Sequence, residues 1–348
     1  MGKRVILLAG KSGCGKSTLA SKLGLPVVSF DDNFDYSSKG DDCLKRVLTK
    51  ILETLENNLT VVLDGFTVDN KAHLNYIEQE LSTKGISLNK HYLFVPNWIQ
   101  IQRLEHSKGG EWNRQLLKVT FDDPSFEYID SSQDFYLHLS LADYKLMKET
   151  YLHTRPVDYG EVKAFMETLD KKTYDKYYQT LDLIFGFQIN GYSQNTHTWE
   201  QLKKLVDFKD KTVLDVAPFH GYFSFEIEKA GARAVVGADL CEEAIKTALK
   251  IKRFKRSKVI FIVRDANELH LGTKFDIALC LNVFHHFKDQ PAVLENLSNH
   301  ADMLIFEVNH EDVPKVGKLL EMGFTLIYEG TTYRQRTLLI YRKIRGGL

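Results

Sequence analysis

Apolar and polar positions fall into blocks of two lengths along this chain. Short apolar runs at 4–8, 26–30, 60–63 and 91–95 read as buried strands, the first three leading into glycine or aspartate. Between them, 16–23, 43–57, 73–84 and 97–106 carry apolar residues at helical spacing. Strands alternating with helices predict a mostly parallel sheet covered on both faces. Residues 109–132 are less regular, and a strand over 134–139 completes the first sheet.

The stretch 150–200 breaks the rhythm. Its aromatic run TYDKYYQTLDLIFGF looks helical, and the polar, turn-rich NGYSQNTHTWE follows. From 212 the βα alternation resumes, with strands at 212–216, 234–238, 258–263, 275–280 and 303–308. Helices are predicted at 222–230, 242–251, 290–299 and 313–321, and 325–329 and 336–341 read as two adjacent closing strands. The expected organisation is α/β with two tandem domains, over 1–150 and 206–348, joined by a helical connector and lead-in over 151–205.

A length of 348 residues suits two domains, each able to bury its own core. Lysine and arginine total 46, as do aspartate and glutamate, so net charge gives no steering toward a polyanion. A small-molecule, sugar or nucleoside acceptor is therefore favoured, and RNA is left open but not favoured. The densest basic run, Lys246, Lys250, Lys252, Arg253, Lys255, Arg256 and Lys258, reads as a solvated helix surface. Cys14, Cys43, Cys241 and Cys280 lack paired or metal-like spacing, which fits a reducing cytoplasm. The opening MGKRVILLAGKSG has too short an apolar run for a signal peptide or membrane span, and Ile6 leaves myristoylation unsupported. A cytoplasmic protein without membrane insertion is expected; its oligomeric state is not indicated.

Ala9 to Thr18 read AGKSGCGKST directly after the first apolar run, giving G-x-x-x-x-G-K-S at a strand–loop–helix junction. Glycines there let successive backbone N–H groups turn round a phosphate, and the following helix adds its positive end. The stretch resembles the P-loop, or Walker A, motif. That resemblance implies ATP and Mg²⁺, held by Gly10, Gly13, Cys14, Gly15, Lys16, Ser17 and Thr18. Ser17 and Asp64 are the implied metal contacts and Lys16 the phosphate-reaching cation. FDDNFDY, carrying Asp31 and Asp32, resembles the acceptor region of uridine kinases and related small-molecule kinases. A carboxylate there, Asp32 before Asp31, is the implied proton acceptor. Arg103 and Arg114 flank HSKGGEWN, which resembles the arginine-bearing lid of nucleoside kinases.

A second loop, VLDVAPFHGYFSFE, resembles a weakened D-x-G-x-G-x-G loop of class I methyltransferases that use S-adenosylmethionine. Asp215, Ala217, Phe219 and Gly221 match, with alanine and phenylalanine at two glycine positions. Asp239 and Leu240 in AVVGADL, Asp265 and Ala266 in FIVRDANEL, and Asn282 in ALCLNVFHHF stand at the next strand ends and match further ligand positions of that family. A nicotinamide-binding Rossmann domain is the competitor, but G-x-G-x-x-G is missing after Asp215. The similarity is nearest to the branch that includes the transferase acting on wobble uridine in transfer RNA and its small-molecule relatives, which also places a tryptophan-bearing helix, here with Trp199, before the first strand. His285 is the candidate base; His286, Glu307, Asn309, His310, His220, Tyr192 and His197 are candidate cleft residues.

The two halves together predict a bifunctional enzyme: ATP-dependent phosphorylation of a hydroxyl, and methyl transfer, with the new phosphate as one candidate acceptor. The alternatives are a kinase/methyltransferase that modifies RNA or nucleosides, and a nucleotide-sensing scaffold whose methyltransferase-like half is inactive.

Overall fold

The computed structural model describes residues 2–33, 40–66, 71–108, 121–133, 135–152, 156–169, 178–193, 195–332 and 335–344. The chain divides into two compact units, Met1–Ser132 with Tyr136–Thr154, and Gln133–Phe135 with Arg155–Leu348.

The first sheet contains β1 (Arg4–Ala9), β2 (Val27–Ser29), β3 (Thr60–Phe66), β4 (Ser87–Phe94), β5 (Glu127–Gln133) and β6 (Phe135–Leu139), in the order β2-β3-β1-β4-β5-β6. From β2 to β5 all pairings are parallel, and Val5 sits between Val61 and Leu88. Chain order reverses at β1, so a crevice opens at its carboxyl end, where the first glycine loop begins. That loop feeds α1 (Lys16–Lys22); α2 (Phe30–Asn33), α3 (Gly40–Glu56), α4 (Lys71–Thr83), α5 (Asn97–Lys108) and α6 (Leu141–Tyr151) follow. Leu8, Cys14, Leu19, Val62, Leu93, Ile99 and Ile129 form a buried cluster under the loop.

Three parts of this unit differ from the expectation. β4 begins at Ser87 instead of 91, because its first half is a half-buried strand of alternating character. β5, EYIDSSQ, lies where irregular structure was expected. Its polar residues are buried because they satisfy one another: Ser132 N–H and the Tyr151 hydroxyl donate to Asp130 at 2.7 and 2.5 Å. α6 was not anticipated either; Ser140 and Asp143 start it with a reciprocal capping box.

In the second unit, α7 (Tyr159–Thr168) precedes a small antiparallel pair, β7 (Leu181–Asp182) and β8 (Gln188–Ile189). The described part of the aromatic run is therefore not helical. Phe185 and Gly186 at φ 59° and 77° turn the chain back on itself. α8 (Asn195–Leu205), which carries Trp199, starts inside the stretch expected to be turns.

The main sheet comprises β9 (Thr212–Val216), β10 (Ala234–Asp239), β11 (Ile260–Val263), β12 (Phe275–Leu281), β13 (Ala301–Val308), β14 (Phe324–Thr331) and β15 (Thr337–Lys343). Its order is β11-β10-β9-β12-β13-β15-β14, parallel except where β15 pairs with β13 and β14. Leu214 of β9 lies between Val236 and Ala278. α9 (Tyr222–Lys229), α10 (Glu242–Lys255), α11 (Gln290–His300) and α12 (Val313–Val316) connect the strands.

The basic run on α10 is only partly a solvated surface. Lys252 and Arg253 are buried, and Arg253 forms a forked ion pair with Glu161 of α7. The Lys255 ammonium donates to the Asp182 carbonyl at 2.6 Å. Cys14, Cys43 and Cys280 are buried, Cys241 is exposed, and all are free thiols. Among the described residues no helix is long and apolar enough to cross a membrane.

Gly10 marks the tightest point of the first unit. Its φ is 141°, and a Cβ there would lie 2.4 Å from the Leu93 carbonyl oxygen on β4. Gly10→Ala is expected to destabilise this unit by about 1–3 kcal/mol, read as faster amide exchange in β1 and β4; exchange as slow as in the parent chain would contradict this.

Candidate functional site

In the first unit the glycine loop runs from β1 into α1. Gly13 and Gly15 have φ of 79° and 84°, and Gly15 caps α1. The Lys16 ammonium turns back and donates to the Gly10 carbonyl at 2.9 Å and the Lys11 carbonyl at 3.3 Å. Ser17 and Thr18 are exposed on the first turn of α1. Asp64 is buried within β3, which runs on to Phe66 instead of ending at the aspartate, and its Oδ1 accepts from Gly65 N–H at 2.7 Å. Asp31 and Asp32 are exposed in α2, and Asp31 Oδ2 would lie 2.9 Å from a Cβ added at Gly65.

Two expected roles in this loop are revised. Cys14 points its side chain into the core, and burial pushes its thiol above the ordinary range, so the side chain is spent on packing. Arg103 does not project as a lid here. Its guanidinium donates to the carbonyls of Gly13 at 3.3 Å and Ser131 at 2.6 Å, bracing the loop from behind. Gln100 and Ser131 complete the brace, donating to the carbonyls of Ser12 and Cys14, each at 2.6 Å. Arg114 lies outside the described residues.

The second unit holds a cavity of about 520 Å³ at the carboxyl ends of β9, β10 and β12, the position where a doubly wound sheet binds ligands. Asp215, Ala217, Phe219, Asp239, Asn282 and His285 are brought together on its walls. The loop over 217–221 keeps left-handed backbone at all three glycine positions, with φ of 55° at Ala217, 56° at Phe219 and 89° at Gly221. Only Gly221 is obliged to be glycine by space: a Cβ there would lie 2.6 Å from the Phe261 ring. The other two are held by bonds. Ala217 N–H donates to Ala238 O at 2.8 Å, and Phe219 N–H to Asp239 Oδ2 at 3.1 Å. The Phe219 ring stacks on His220 and meets Tyr178 edge-on, at centroid distances of 3.8 and 5.3 Å.

Asp215 and Asp239 bring two carboxyl groups to the cavity wall, which Glu307 and Arg336 also line. Burial pushes the Asp215 carboxyl up to about 7; the Ser224 hydrogen bond opposes this, and nearby Asp239 adds to it. Burial likewise raises Asp239, against the backbone N–H bonds it accepts from Cys241 and Phe219. Two carboxylates in a half-dry pocket suit a ligand that brings positive charge and hydroxyl donors. Ser193 Oγ, Asn195 Oδ1 and Asn282 Oδ1 are buried without a hydrogen-bond partner, and their residues line the same cavity. Unmet polar atoms of this kind cost about 1–3 kcal/mol each until a ligand or water satisfies them. S-adenosylmethionine, with ammonium, sulfonium and ribose groups, fits this donor and acceptor set.

Other expected residues lie elsewhere. Asp265 and Ala266 do not line the cavity; the Asp265 carboxylate accepts from Asn267 N–H at 2.8 Å and Asn267 Nδ2 at 2.7 Å, capping a short turn. Leu240 is 66% exposed. His286, Glu307 and Tyr192 are on the walls, whereas His197, Asn309 and His310 are not. His310 meets Thr337 Oγ1 at 3.0 Å.

Sequence reasoning missed Gln179 and Arg336. Gln179, buried, donates to Pro218 O at 3.0 Å and accepts from the N–H groups of His220 and Tyr222 at 3.2 and 3.3 Å. Arg336 comes from the β14–β15 hairpin and lines the cavity, with Nη1 buried and unpartnered. Both are far in sequence from the loop, and no local pattern marks them. Gln179→Ala should loosen the loop at a cost of about 1–3 kcal/mol, seen as faster hydrogen exchange over 217–222. Unchanged protection there would show that the side chain is not what holds it.

A family model described as a methyltransferase domain matches residues 207–323, within the second unit. The tRNA U34 carboxymethyltransferase of Sulfurimonas denitrificans is 27% identical over 121 residues, 34% of this chain and 40% of that protein. Its namesake in Campylobacter hominis is 30% identical over 102 residues, 28% and 35% of the respective chains. The ribosomal RNA large subunit methyltransferase I of Aliivibrio fischeri is 32% identical over 108 residues, 29% and 27%. The chain thus spans two fifths or less of the length of these curated relatives. Their names overturn the expectation that RNA is a disfavoured partner. That expectation rested on net charge, which says little about a local site. Residues 207–323 form a class I, S-adenosylmethionine-dependent methyltransferase domain related to tRNA- and rRNA-modifying enzymes.

Proposed function

We propose that the second unit transfers a methyl group from S-adenosylmethionine to RNA, and that the first unit binds ATP with Mg²⁺ and phosphorylates a hydroxyl. The observation that carries the first part is the cavity walled by the left-handed loop and by Asp215, Asp239 and Asn282. RNA as the acceptor is supported by the relatives, which are named for tRNA and ribosomal RNA.

The sulfonium of S-adenosylmethionine supplies the methyl group. Asp239, at the end of β10, is placed to accept from ribose hydroxyls while keeping its bond to the loop. Asn282 has φ 58°, its Nδ2 donates to the Tyr178 hydroxyl at 2.6 Å, and its Oδ1 is left for a ligand donor. His285 is the proton acceptor in this reading. Burial lowers its pKa, and the charges of His286 and Arg336 act in the same direction, so the ring is neutral near pH 7. The free Nη1 of Arg336 is suited to an acceptor phosphate.

The phosphoryl-transfer reading is supported by the left-handed glycines of the loop over 10–16 at the switch point of the first sheet. Lys16 releases the loop carbonyls to reach the phosphates, Ser17 and Asp64 offer the metal contacts, and Asp32, with Asp31 beside it, stands as acceptor of the hydroxyl proton.

Lys16→Ala should abolish ATP-dependent phosphorylation of RNA or nucleoside acceptors while sparing methyl transfer, and Asp215→Ala should do the reverse. Radiolabel transfer from each cosubstrate measures both; joint loss in either variant would contradict independent sites. Arg336→Ala should lower methyl transfer to RNA by about 10-fold or more, the scale of one charge-assisted hydrogen bond.

Asp215 also fixes a pH dependence. Its raised pKa keeps it protonated in the free protein up to about pH 7, and a cationic cosubstrate favours the ionised form. Affinity for S-adenosylmethionine should therefore rise with pH and level off above about 7, with a proton released on binding near pH 6. Calorimetry in two buffers of different ionisation enthalpy reads that proton; buffer-independent heats would rule this out. By the same linkage, stability contributed at this group falls as pH rises from about 4 to about 7, because the unfolded chain ionises first.

A further inference from the structure

We infer that His91, Glu127 and His138 form a binding site for a first-row transition-metal dication, with Zn²⁺ the best match to two imidazoles and one carboxylate. The three residues stand on three strands of the first sheet. His91 of β4 and Glu127 of β5 are direct register partners, and β6, which carries His138, is the neighbour of β5. Glu127 Oε2 lies 3.1 Å from His91 Nδ1 and 3.2 Å from His138 Nδ1. One donor atom from each residue falls within 4.8 Å of the others, and this is the one such cluster among the described residues.

The spacing suits a small tetrahedral ion. Bonds of about 2.1 Å place adjacent ligand atoms about 3.4 Å apart, close to the two observed separations. The remaining adjustment is available, because Glu127 and His138 are 63% and 57% exposed and can change rotamer. His91 supplies the fixed point, at 13% exposure. Its Nδ1 is buried and makes no hydrogen bond of acceptable geometry, although the Glu127 oxygen is near. A simple carboxylate–imidazole bridge would leave that nitrogen aligned on the oxygen. With three protein ligands the fourth position falls to water, and the ion would tie edge strand β6 to β4 across β5.

The full-length chain, stripped with EDTA and dialysed, is titrated with ZnCl₂ by calorimetry. One Zn²⁺ per chain is expected, with a raised thermal midpoint for the first unit and no comparable response to Mg²⁺. His138→Ala and Glu127→Gln replace exposed side chains, so the metal-free fold should persist by circular dichroism. Each should weaken Zn²⁺ binding by at least the ~10–100-fold that losing an outer-shell partner costs; His91→Ala should do the same. Co²⁺ in place of Zn²⁺ should give the strong visible bands of a four-coordinate ion, lost in the same variants. Absence of Zn²⁺ binding, or binding with parent affinity in all three variants, overturns the site.

Discussion

The turn that leaves β9 must bring three alternate residues, Ala217, Phe219 and Gly221, into the left-handed region, and only Gly221 reaches it without a Cβ. Ala217 and Phe219 take on strain of roughly 1–3 kcal/mol each, and that strain has to be offset by partners outside the loop. Ala238, Asp239 and Gln179 supply them through backbone and side-chain hydrogen bonds. Neighbouring strands β9 and β10 carry Asp215 and Asp239 to the cavity, and the turn closes it beside them with Ala217, Pro218 and Phe219. The weakened glycine pattern thus preserves the conformation of a glycine-rich loop with different residues.

The two sheets share a layout rule and differ in what their switch points offer. At β1 the loop carries left-handed glycines and a lysine folded back on the loop carbonyls. At β9 it presents buried carboxylates, suited to a cation. Net charge over the whole chain is zero, which hides both features. The basic stripe on α10 shows the same limit of composition, because two of its cations are spent inside the fold, one of them on Glu161.

How much was readable in the residues follows from how each segment is satisfied. β9, β10, β12 and β13 are parallel strands buried on both faces, so they appear as plain apolar runs whose ends fall within one or two residues of the expected ones. β5 does not, because Asp130, Ser131 and Ser132 are buried through a polar network with Tyr151 and the glycine loop, and burial of that kind has no hydrophobic signature. β7 and β8 were hidden by aromatic residues that suit helix and hairpin equally. Strand-end aspartates were visible as candidates, but Asp265 shows that position alone does not assign a role: its carboxylate is used by Asn267. Gln179 and Arg336 reach the cavity from remote segments, and remote contacts are what a single sequence conceals.

Gln179 gives the loop over 217–221 a property that glycine would not. A glycine-rich turn is mobile when empty and must be ordered by whatever it binds. Here three side-chain bonds from one buried amide already fix the backbone. The entropic cost of shaping the turn is met during folding, so an incoming ligand finds it preorganised and keeps more of its contact energy as affinity.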